Sequence, residues 1–163
     1  MQTPTENRES ARRAFAVSAL GAGITLTALG GDASFRRYFR VQDGDHSFIL
    51  MDAPPEHGGV ALFQTRSDQF RTCGLPVPEI YAADTAQGLL LLQDYGDRWL
   101  YHDLAVAPEA AMTQALALLG GWQQATANLR DAIPPYETAR LHTEAALMRE
   151  WFLPWLGIHA DSA

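Results

Sequence analysis

The sequence predicts an α+β fold: an antiparallel sheet of about five strands with one inserted helix, followed by helices alone. Three observations carry that reading. Short apolar runs bounded by Gly, Pro or Asp-Gly fill residues 24–92. One stretch of helical spacing, 60–73, interrupts them. Beyond Gly96 only helical spacing remains, so strands and helices are segregated rather than alternating.

Residues 9–20 read as an amphipathic helix closed by Gly21 and Gly23. The uncharged run 14–31 after Arg12-Arg13 also fits a twin-arginine export signal with cleavage near Ala28. The strand pattern immediately downstream favours the helix. Ile24, Leu26 and Ala28 alternate with Thr25, Thr27 and Leu29, which suits a half-buried strand over 24–29. Gly30 to Ser34 form a turn. Strands 37–41 and 47–51 flank Gln42-Asp43-Gly44-Asp45, a hairpin turn of the Asp-Gly kind. Ala53-Pro54-Pro55 ends the third strand, because Pro donates no ladder hydrogen bond.

The spacing predicts a helix over 60–73, closed by Gly74. Pro76 and Pro78 force an extended entry to a fourth strand, 79–83. Ala86-Gln87-Gly88 turns the chain into Leu89-Leu90-Leu91-Leu92, a continuous apolar run that predicts a strand covered on both faces. Helices follow over 99–106, 108–129 and 138–155, the last two separated by Pro134-Pro135. The domain division expected is 1–23 as an N-terminal helix, 24–96 as the sheet domain and 97–163 as the start of a helical region.

Composition narrows the function. With 163 residues, 47% hydrophobic and 19% charged, the chain can bury a core and is not disordered. A net charge of -7 and a pI near 5.1 exclude a basic nucleic-acid footprint. Gly, Ser and Thr dilute the one long uncharged run, so no membrane span is expected. A single cysteine, Cys73, excludes a disulfide framework and a Cys-based zinc site. All 12 basic residues are Arg; there is no Lys. His46, His57, His102, His142 and His159 lack metal-ligand spacing, and no Walker loop, nucleophile elbow or dinucleotide fingerprint occurs.

Three stretches carry a more specific signal. Asp32-Ala33-Ser34-Phe35-Arg36-Arg37-Tyr38-Phe39-Arg40 resembles the first hairpin of aminoglycoside phosphotransferase-like kinases. Phe48-Ile49-Leu50-Met51-Asp52-Ala53-Pro54-Pro55 is similar to the third strand of that family's amino-sugar branch. That branch phosphorylates N-acetylmuramate and N-acetylglucosamine at the anomeric carbon. Leu89-Leu90-Leu91-Leu92-Gln93-Asp94-Tyr95-Gly96 looks like its fifth strand and interlobe hinge. Pro134-Pro135-Tyr136 and Trp151-Phe152-Leu153 are weaker echoes, and the resemblance runs over about 24–156.

The resemblance implies a kinase-like small lobe over 24–96 followed by the first helices of a large lobe. It implies ATP and Mg²⁺ as cofactors, a nucleotide and an amino sugar as ligands, a cytoplasmic setting and a role in peptidoglycan recycling. The first turn would cover the nucleotide phosphates through Gly31, Ser34, Phe35 and backbone N–H groups, with Arg36 or Arg37 adding charge-assisted bonds. Met51 stands on the third strand, and Leu92, Gln93, Asp94 and Tyr95 would hold the base. Two departures matter. Protein kinases place a Lys on the third strand and pair it with a helix Glu. Here Met51 lies on that strand, and the acidic helix candidate, Asp68, has no evident cation. The family's H-x-D-x₄-N loop and metal-binding Asp do not match any position; His159-Ala160-Asp161 fits only H-x-D. No catalytic residue or metal ligand is therefore assigned, and these residues alone are expected to be inert. A second reading stays open: a non-catalytic module that self-associates through Trp122, Trp151, Phe152 and Trp155.

Overall fold

The computed structural model describes residues 4–30 and 34–158, with side chains from residue 7 onward. The chain forms two compact units, the first ending at Ala125 and the second beginning at Thr126. The first holds the sheet. Strands β1 (Thr25–Ala28), β2 (Arg37–Asp43), β3 (His46–Asp52), β4 (Ile80–Asp84) and β5 (Leu89–Gln93) pair antiparallel in the order β1-β2-β3-β5-β4. Helix α1 (Pro4–Leu20) precedes them, and α2 (Ala61–Thr72) joins β3 to β4. Helices α3 (Leu100–Val106) and α4 (Pro108–Ala125) complete the unit.

The β2–β3 turn sits one residue later than its sequence signature suggests. Asp43 pairs with His46, so the loop is Gly44-Asp45, and Gly44 supplies the positive φ of 56°. Strand alternation then sorts side chains onto two faces. Val41, Leu50, Leu89 and Leu91 face α1 and bury Ala16 and Ile24 with them. Met51, Leu90 and Leu92 face the other way, against Val60 and Phe63 at the start of α2. Leu89 to Leu92 are all buried, as a strand covered on both faces requires.

One glycine is fixed by close approach. Gly88, at φ 69°, accepts a hydrogen bond from the Ala53 N–H at 2.9 Å, and a Cβ there would lie 2.0 Å from the Ala53 carbonyl oxygen. That contact ties the end of β3 to the start of β5.

Helix α1 is anchored by charge as well as by packing. Arg8 and Arg12 both donate to the Asp52 carboxylate, and the Arg12 guanidinium lies 4.4 Å from the Phe39 ring centre. Arg12 thus sits within the packed domain, as expected of a structural helix. Trp122 on α4 is half-buried, edge-on to Phe70 of α2 at 5.2 Å, and is therefore not part of a free aromatic surface.

The second unit contains a 3₁₀ segment (Ala127–Ala132), α5 (Thr138–Leu147), a π-turn (Met148–Phe152) and α6 (Leu153–Trp155). The periodicity predicts one helix over 138–155, and the π-turn divides it. Pro154 has no N–H for the ladder, and the extra residue just before it widens the turn. Likewise the helix expected over 108–129 ends at Ala125 and tightens into 3₁₀ geometry. Trp151, Phe152 and Trp155 are exposed on this unit.

Candidate functional site

A cavity of about 630 Å³ opens where β5 leaves the sheet. Its floor is the α2 face of the strands. Ile49 stands between Arg40 and Leu92 in the strand register, and Tyr38 lies beside Met51 in the next row. Tyr38, Ile49, Phe63 and Leu92 give apolar walls, Leu29 and Gly30 close one end, and Gln93 to Asp97 with Trp99 form the rim. Apolar walls beside an exposed backbone segment suit a flat, partly polar ring.

The rim is held by one arginine. The Arg40 Nε–H donates to Asp94 at 2.7 Å, and its two terminal nitrogens donate to Asp97, each at 2.8 Å. Asp94 also accepts from the Ser47 hydroxyl at 2.5 Å and from the Gly96 N–H at 2.8 Å. Burial alone would raise the Asp94 pKa. The bonds from Ser47, Gly96 and Arg40 outweigh it, so the carboxyl is held below its ordinary range. Asp97 is lowered chiefly by its bond to Arg40, and Arg40 is raised by both partners. The rim is thus pinned to β2 by side-chain contacts spanning 54 and 57 positions of sequence, and to β3 by one spanning 47.

The backbone of the rim is partly spent. The Gln93 N–H already donates to the Glu79 carbonyl at 2.9 Å. A base edge would therefore meet Asp94 and Tyr95 rather than the Gln93 N–H. The acidic groups here do not fit Mg²⁺: the Asp94 and Asp97 oxygens are engaged by Arg40, Ser47 and Gly96. Among the described residues no cluster of three His, Cys, Asp or Glu could hold a metal ion.

The structure brings together Leu92, Gln93, Asp94 and Tyr95 in this cavity. Met51 lies beneath it, fully buried in the α2-side core. Ser34, Phe35 and Arg37 line a different cavity, on the α1 face, and Arg36 is exposed. Gly31 lies outside the described residues. Asp68 is exposed on α2, as a surface charge would be. His102 accepts from the Trp99 N–H at the start of α3, a helix-start role. Sequence reasoning missed Tyr38, Arg40, Ile49, Phe63, Asp97 and Trp99. Once the hairpin register is set, alternation alone puts Tyr38 and Arg40 on the face of Ile49 and Leu92. Nothing in the local sequence announces the Arg40 contacts.

The profile of the phosphotransferase enzyme family matches residues 25–159, most of the chain. The chain belongs to that family. Among curated relatives, the chain is 37% identical over 131 residues to the N-acetylmuramate/N-acetylglucosamine kinase of Pseudomonas putida, covering 79% of the chain. It is 37% identical over 130 residues to the protein of that description in Pseudomonas aeruginosa, and 32% over 134 residues to the one in Neisseria meningitidis. In the first two the match spans 38% of the relative's length. Membership of this family and the α+β sheet-plus-helices architecture agree with the expectations from sequence. Among the described residues no helix is long and apolar enough to cross a membrane.

Proposed function

We propose that these residues form the nucleotide-holding part of an ATP-dependent amino-sugar kinase. The parent activity would move the γ-phosphoryl group of ATP to a sugar hydroxyl of the N-acetylmuramate or N-acetylglucosamine type. The observation that carries this is the cavity at the end of β5, with apolar walls and a rim locked by Arg40. In this reading the base lies between Ile49 and Leu92 and pairs with the backbone of Asp94 and Tyr95. Arg36, the exposed arginine at the end of the turn before β2, is the group in this reading that meets the phosphates. Met51 replaces a phosphate-holding cation with an apolar side chain, so charge on the phosphates must be met by arginine and by groups beyond these residues. The division into an N-terminal helix, a lobe over 24–96 and a following helical region belongs to the same proposal, as do Mg²⁺, a cytoplasmic setting and a role in peptidoglycan recycling.

Amide chemical shifts on adding adenosine test the base site. Shifts confined to Tyr38, Ile49 and residues 92–97 support it; none at millimolar adenosine overturns it. A turnover assay with ATP and N-acetylmuramate tests the expected inertness of the 163 residues alone, and steady product formation would refute it.

The exposed Trp151, Phe152 and Trp155 favour a second reading, self-association through the second unit. Light scattering that finds a monomer at high concentration removes it.

A further inference from the structure

A second cavity, of about 290 Å³, lies on the α1 face of the sheet. Two guanidinium groups, those of Arg8 and Arg12, converge there on one carboxylate, and a third, that of Arg37, lines the same cavity. The two Asp52 oxygens are committed to Arg8 and Arg12. Arg37 stands directly across from Asp52 in the β2–β3 register, and its side chain has no hydrogen-bond or ion-pair partner among the described residues. Among the described lining residues the formal charge is +3 from the arginines and -1 from Asp52, which leaves +2. The Arg8 Nε is buried and also without a partner. Phe35 and His57 stack at 3.9 Å with their planes 10° apart and give the cavity a flat aromatic wall.

We propose that this cavity binds a phosphate dianion, as inorganic phosphate or as the phosphate of a small phosphomonoester. The surplus charge matches a doubly charged ligand. Guanidinium forks donate in the geometry that phosphate oxygens accept. The wall of Phe35 and His57 offers an apolar face to the ring of a sugar phosphate. The site is separate from the hinge cavity. The two share no lining residue, and strand alternation puts Arg37 and Asp52 on the face opposite Tyr38 and Met51. Occupancy here is therefore additive with nucleotide at the hinge and does not depend on the nucleotide reading.

Calorimetric titration of the 163-residue chain with inorganic phosphate and with N-acetylglucosamine 1-phosphate tests this, alone and with saturating ATP. The expected result is saturable one-site binding that weakens with added salt and survives saturation with ATP. Arg37→Gln alters an exposed side chain, so it leaves the melting temperature unchanged, and it should weaken binding about tenfold or more. Phe35→Ala sorts the two sources. Loss confined to the sugar phosphate identifies a phosphomonoester site, and unchanged binding of both identifies an inorganic phosphate site. The proposal is overturned by absence of saturable binding of either probe, by an Arg37→Gln chain that binds as wild type, or by displacement of the probe by ATP.

Discussion

Asp52→Ala should unfix α1 from the sheet. The Asp52 side chain is only 3% exposed and accepts from two guanidinium groups, Arg8 at 27% and Arg12 at 9% exposure. Removing the carboxylate leaves Arg12 charged and enclosed, with the π-cloud of Phe39 as its remaining partner among the described residues. Breaking a buried pair from one side typically costs about 3–5 kcal/mol. Arg8 can turn its head to water, which places the expected loss near the lower end, about 3 kcal/mol. That is a large share of a domain's stability, which runs about 5–15 kcal/mol. Urea unfolding followed by far-ultraviolet circular dichroism measures it, with Arg12→Met and the double substitution completing a cycle. The double variant should be less destabilised than the sum of the singles, because the orphaned charge is removed with its partner. A loss below about 1 kcal/mol for Asp52→Ala, or strict additivity, would refute the view that this buried pair anchors α1.

Three further outcomes follow from the geometry. Gly88→Ala should cost about 1–3 kcal/mol in the same urea assay, since its Cβ would meet the Ala53 carbonyl and φ is positive; a neutral result would contradict the close approach. Asp94 and Asp97 are held below their ordinary 3.8 in the folded chain, so the unfolded chain binds protons first; stability is full above that value and falls as pH drops below about 4. Arg40→Ala should flatten that acid limb and weaken ATP binding together, and an unchanged acid profile would mean the rim is not held by this cluster. Met51→Lys should destabilise strongly by putting an unpaired charge into the α2-side core rather than restore a phosphate contact; tighter ATP binding by this variant would show that Met51 faces the phosphates.

The sheet was legible because each strand carried its own local signal. Leu89 to Leu92 could only be a strand covered on both faces, and Pro54-Pro55 and Gly74 marked ends that the chain respects. The hairpin was legible to within one residue, because Asp43-Gly44 and Gly44-Asp45 both offer the glycine that a tight turn needs. Helix ends past residue 125 were not, since apolar spacing continues through Ala125 and Leu147 while the hydrogen bonding changes there. At the site, backbone contributors were readable from resemblance alone. The contacts that shape it were not. Arg40 reaches Asp94 across 54 positions, and Arg12 reaches Asp52 across 40, and no local pattern encodes such pairs. The resemblance offers Arg36 or Arg37 as a phosphate ligand without distinguishing their faces, and strand parity sets Arg37 beside Asp52 on the α1 face.

The central claim is that the cavity at the end of β5 receives an adenine ring. Calorimetric titration of ATP with Mg²⁺ into the chain, repeated with adenosine and with tripolyphosphate as competitors, tests it most directly. The account predicts saturable one-site binding that adenosine displaces and tripolyphosphate does not. No heat up to millimolar ATP, or displacement by tripolyphosphate alone, would contradict it.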